Sequence, residues 1–154
     1  MPKTFETLSL QDAKRMLAAG EAKADQIGIP YNIAVVHAGG YLLAFSRQDG
    51  ALIGSIDLAI QKAFTARIFN ISTGVLAELA QPGKPFYGIH DGKIVIFGGG
   101  LPARRKGIVI GAIGTSARSN RIPKWPRPQL RQSNRPSSRH LSEFFQLLIN
   151  DGFV

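Results

Sequence analysis

Ile33-Ala34-Val35-Val36-His37-Ala38-Gly39-Gly40-Tyr41-Leu42-Leu43-Ala44-Phe45-Ser46 reads as two strands joined by a tight turn. The run Ile33–His37 is short and rich in β-branched residues, which fit a pleated strand. Gly39 and Gly40 reach positive φ without steric cost, the backbone shape a short hairpin demands. Both flanking runs are mostly apolar rather than strictly alternating. A strand of that kind belongs to a sheet that is covered over much of both faces.

The covering elements are legible on either side. Residues 9–27 predict an amphipathic helix: Ser9 caps it, and Asp12 sits in the first turn, where the helix dipole favours an acid. Leu10, Ala13, Met16, Leu17, Ala24 and Ile27 recur at about 3.6-residue spacing. Gly28 stops the helix and Pro30 prevents its continuation. Residues 55–69 predict a second helix, capped by Ser55, with Asp57 in its first turn and Asn70 as its stop. Ala59, Ala63 and Ala66 are small, so this helix can approach a sheet closely. A short third helix is expected with Thr73 as cap, Val75, Leu76 and Leu79 inward, and Gln81-Pro82-Gly83 at its end. Ile94–Phe97 reads as a strand broken by Gly98-Gly99-Gly100. Residues 101–107 read as a turn-containing connection, and Ile108–Thr115 as the last strand. The resulting order is helix, two strands, helix, two strands, which predicts an α/β chain of the α+β type. No internal repeat is visible.

The composition changes sharply near Ser116. The chain carries 19 Lys+Arg against 10 Asp+Glu, a net charge of +9, and residues 116–154 hold more than half of that excess. Pro123, Pro126, Pro128 and Pro136 fall in the same stretch. We therefore divide the chain into a domain over 1–116 and an atypical Arg/Pro-rich tail over 117–154. The tail reads as extended, closed by a short apolar helix over Leu141–Ile149. There are no cysteines, which excludes thiol catalysis, disulfides and Fe–S clusters. No apolar run reaches the ~20 residues needed to cross a bilayer, and the charged start lacks a signal peptide's apolar core. A cytoplasmic location without a membrane partner is the expectation.

Taken in order, Ile33–Gly40, Arg47-Gln48-Asp49-Gly50-Ala51, Asp57–Ala66, Gly99-Gly100-Leu101-Pro102 and Gly107–Ser116 resemble the GlcG/HbpS-like haem-binding family. The resemblance spans about residues 8–116. It also extends to the C-terminal domain of corrinoid adenosyltransferases. It implies a profilin-like three-layer α/β/α sandwich around an antiparallel sheet of about five strands, a homo-oligomer, and haem or a related tetrapyrrole as ligand. Two positions depart from the family pattern, which has an acid where His37 stands and another within the turn that here reads Arg104-Arg105-Lys106. Beyond Ser116 the family continues with a glycine pair, acids and an Ala-rich helix. The Arg/Pro/Ser/Gln-rich tail has instead the composition of a GC-rich frame shifted by one base.

The resemblance directs attention to specific side chains. His37 and His90 are the candidate axial ligands for haem iron, since an imidazole nitrogen binds it well. A backbone- or water-bonded loop histidine is the bland alternative for each. His140 lies in the doubtful tail. Arg47 and Lys62 are the candidate contacts for an anion such as a propionate or a hydroxy acid; for Arg47 the alternative is an ion pair with Asp49 or Asp57, and for Lys62 a solvated side chain is the preferred reading. Gly99 and Gly100 are read as a sheet-edge turn lining the pocket, with Tyr87 and Phe97 available to a flat ring. Gly39-Gly40, Arg47, Lys62 and Gly98–Pro102 are expected to converge on one pocket. The leading function is tetrapyrrole binding. The alternatives are a small-molecule enzyme or accessory protein of hydroxy-acid or aromatic catabolism, and nucleic-acid binding through the tail arginines with Trp125. A frameshifted or a solvated tail is preferred to the last of these.

Overall fold

A computed structural model describes residues 4–89 and 91–117. His90, His140, the tail beyond Ala117 and its expected terminal helix lie outside the described residues.

Helix α1 spans Leu10–Ile27 and opens on a reciprocal cap. The Ser9 hydroxyl accepts the Asp12 N–H at 3.1 Å, and the Asp12 carboxylate accepts the Ser9 N–H at 3.0 Å. The hairpin follows as β1 (Tyr31–His37) and β2 (Leu42–Arg47). A short 3₁₀ turn, Ile53–Ser55, leads into α2 (Ile56–Phe69), which Asn70 closes in the left-handed conformation. Ser55 does not cap α2 through its side chain. Its hydroxyl donates to the Leu52 carbonyl at 3.0 Å and accepts from Asn32 Nδ2 at 2.9 Å. Helix α3 is Thr73–Leu79, capped by Ser72 rather than Thr73. Leu76 is buried as expected, whereas Val75 faces solvent.

The last two strands correct the sequence reading. Ile94–Phe97 is not a strand; it runs past α2, held by the Val95 N–H donating to Thr65 Oγ1 at 3.0 Å. The strand is instead β3, Gly100–Arg105, within the stretch expected to be a connection. It pairs with β4, Ile108–Ala117, across a two-residue turn in which Lys106 and Gly107 both have positive φ (49° and 80°). That is the backbone signature of the tightest hairpins. Pro102 is tolerated because β3 is an edge strand among the described residues.

The sheet is antiparallel throughout, in the order β2-β1-β4-β3. It has four strands among the described residues, against about five expected. The alternation of β1 divides the core in two. Ile33 and Val35 pack with Ala13, Met16 and Ala24 of α1. Ala34 and Val36 pack with Ala59, Ala63 and Ala66 of α2. Helices therefore lie on both faces, and the three-layer α/β/α sandwich holds. On the α2 face both partners are small. A Cβ on Gly114 would run into Ala59 O and Ala63 N, and one on Gly100 into Lys62 O. Among the described residues, no helix is long and apolar enough to cross a membrane.

Candidate functional site

Close packing of α2 on the sheet places one charged residue in the interior. Lys62 is 6% exposed, on a helix otherwise seated on the sheet through alanines. Its ammonium donates to the Thr115 carbonyl at 3.1 Å and lies 5.0 Å from the centre of the Phe97 ring, a cation–π distance. A Cβ on Gly99 would come within 2.9 Å of Nζ, so glycine at that position admits the amine. Gly100 admits the Lys62 carbonyl, and its N–H donates to Thr73 Oγ1 at 2.8 Å. Lys62, Gly99 and Gly100 thus form one cluster, as the sequence suggested. Among the described residues no carboxylate pairs with Lys62. Burial pushes its amine down from 10.5 to about 8. A desolvated cation of this kind attracts an anion, and it releases a proton more readily than a surface lysine.

Arg47 is not part of that cluster. It is exposed at the end of β2 and donates to the Ala51 carbonyl at 3.0 Å. Neither of the expected ion pairs, with Asp49 or Asp57, is formed among the described residues. Arg47, Asn32 and Ser116 sit side by side on three neighbouring strands. Two strand spacings, roughly 10 Å, separate the backbones of Arg47 and Ser116. Asn32 between them is fully buried; its amide donates to Leu52 O and Ser55 Oγ, each at 2.9 Å, while its Oδ1 has no partner. Sequence reading missed Asn32. A lone polar residue inside the apolar run that follows Pro30 was the available signal.

Gly39, Gly40 and His37 lie at the opposite end of β1, roughly 20 Å of strand away from Tyr31. The expected single pocket therefore divides between the two ends of the sheet. Gly40 faces Phe64, not Lys62. His37 Nδ1 accepts the Gly39 N–H at 2.8 Å, and its ring lies 6.0 Å from that of Tyr41. That bond assigns the proton of a neutral ring to Nε2. An iron ligand needs a bare Nε2, with the other nitrogen usually donating to an acceptor. As arranged, His37 does not fit an iron ligand. Tyr87 is exposed, and the Phe97 ring is engaged by Lys62. Among the described residues no three His, Cys, Asp or Glu side chains group as a metal site.

The match to known proteins covers this same scaffold. A family model described as "Haem degrading protein HbpS-like" matches residues 8–122. An uncharacterised 15.0 kDa protein from the dhaT-dhaS intergenic region of Citrobacter freundii is 42% identical over 113 residues, 71% of this chain and 80% of that protein. The corrinoid adenosyltransferase PduO of Salmonella typhimurium is 36% identical over 115 residues; the match spans 73% of this chain but 34% of PduO. The crystal structure of a PduOC:heme complex superposes with a TM-score of 0.75 at 30% identity, covering 93% of both chains. With the ordered glycine, lysine and strand positions in place, this chain belongs to the HbpS-like family.

Proposed function

We propose that this chain binds haem or a related tetrapyrrole and does so as a homo-oligomer. The observation that carries the reading is the likeness to the PduOC:heme complex over nearly the whole of both chains. His37 is held by the Gly39 N–H, so we assign iron ligation to His90 and leave His37 to the turn. Arg47 is exposed and offers a guanidinium to a propionate, while Lys62 supplies positive charge from within. The test is titration with hemin, followed by the Soret band. Wild type and His37→Ala should saturate alike, and His90→Ala should lose or shift the band. Absence of a saturable Soret change in wild type would reject haem binding. Loss in His37→Ala alone would move the iron to His37.

A second reading, an enzyme or accessory protein acting on a small hydroxy acid, is favoured by one observation. The buried Lys62 ammonium has no carboxylate partner among the described residues. Thermal-shift screening against small 2-hydroxy acids discriminates it, because it requires neither histidine.

A further inference from the structure

At the turn end of the sheet, two arginines meet in a cleft of about 450 Å³. We infer that Arg67 and Arg104 form a binding site for a small carboxylate that carries an apolar body. The volume lies in the range of small-molecule sites. The geometry begins with Asn70, the left-handed residue closing α2. Its side-chain oxygen accepts from Arg67 Nη1 at 2.9 Å, and its backbone carbonyl accepts from Arg104 Nη2 at 2.5 Å. One residue thus draws two guanidiniums from different elements to one place. Arg104 Nη1 reaches the Gly107 carbonyl at 3.3 Å.

The donors are not all used. Arg67 Nε is buried and has no partner. No carboxylate among the described residues pairs with either arginine, although Glu6 lines the same cleft. Two like charges with no carboxylate partner favour an anion, and the planar fork of arginine suits a carboxylate. Part of the wall is apolar: Phe5 is 82% exposed and Ile108 58% exposed, beside the polar Thr4 and Asn70. A bare inorganic anion would leave both uncovered, whereas an aromatic acid would cover them. Glu6 adds a negative charge that opposes a second anionic group.

Isothermal titration of the full chain with benzoate, without hemin, tests the site. Wild type should show one saturable site. Arg104→Gln and Arg67→Gln should each weaken it by roughly tenfold or more, the scale of a hydrogen bond to a charged group. Glu6→Gln should tighten it, which a purely structural pair of arginines would not produce. Should an arginine variant fail to fold, the surface change Ile108→Asp decides, and it should abolish binding. Three results overturn the proposal: no saturation in wild type, arginine variants that bind as wild type, or inorganic phosphate binding as tightly as benzoate. None of them bears on the Soret titration, so this site and the haem reading fail separately.

Discussion

Ser9 and Asp12 exchange hydrogen bonds across the first turn of α1, and this fixes a pH window. Hydrogen bonds from the Ser9 side chain and backbone hold the Asp12 carboxyl down at about 2, with Arg15 adding to the effect. A depressed acid contributes stability above its unfolded value and loses it as pH falls towards the folded one. Ser9→Ala should lower stability by about 1 kcal/mol near neutral pH. In urea melts, the gap between wild type and Asp12→Asn should narrow between pH 4 and 2. Lys62 carries the opposite sign. Its amine is depressed by burial, so between about 8 and 10.5 the unfolded chain binds more protons than the folded one. The Lys62 contribution to stability therefore rises with pH across that window. Lys62→Met should be the more stable protein at neutral pH, with an advantage that shrinks by up to roughly 3 kcal/mol by pH 10.5. A gap that stays flat would mean that an anion already neutralises Lys62. These residues differ in how legible they were. Ser-x-x-Asp before an amphipathic run announces a cap in the sequence itself. The burial of Lys62 depends on which glycines α2 rests on, and no local pattern states that.

The contact between α2 and the sheet explains both the success and the failure of the element-level reading. Ala59, Ala63 and Ala66 announced a close approach, and the sheet answers with Ala34, Ala112, Gly100 and Gly114. Yet the same contact misled the strand assignment. Ile94-Val95-Ile96-Phe97 has the higher strand propensity, but it lies beside α2 and is tied to Thr65. Gly100-Leu101-Pro102 looks like a turn, and it pairs with β4 because only a glycine fits beneath the Lys62 carbonyl. Propensity describes side chains on a half-buried surface, and here backbone clearance decides. The Lys106-Gly107 pair was the overlooked hairpin signal. Gly114→Ala should destabilise by at least the 1–3 kcal/mol typical of overpacking, because the obstructing atoms are helix backbone. Gly74→Ala is the control. It sits in α3 with only Ser72 Oγ near, at 3.9 Å, and should stabilise by about 0.5–1 kcal/mol. Thermal melts of the two variants should move in opposite directions.

Across the whole chain, the two edges of the sheet are unequal, and this bears on assembly. The edge formed by β3 carries Pro102, which offers no N–H, and ends in Arg104 and Arg105; both devices discourage a further strand. The edge formed by β2, Leu42–Arg47, has no proline and a single charge, Arg47 at its end, and Leu42 stands half exposed beside the exposed Tyr41. Among the described residues no strand pairs with its outer side. The excess charge concentrated beyond Ser116 gives the opposite tendency, since like charges on two copies repel. Sequencing the gene across codons 110–125 establishes whether that charge belongs to the family's frame; an intact frame would remove the frameshift reading. An open, partly apolar edge whose one charge, Arg47, stands at its end is a template for a second copy, and screening in ordinary salt weakens the repulsion between tails. We therefore expect light scattering to give a mass above 16.7 kDa for wild type. Leu42→Lys places a charge on that edge and should reduce the mass with little change in unfolding, because residue 42 is half exposed. A monomeric wild type would reject the assembly outright. An unchanged mass in Leu42→Lys would keep the oligomer and move its interface away from β2.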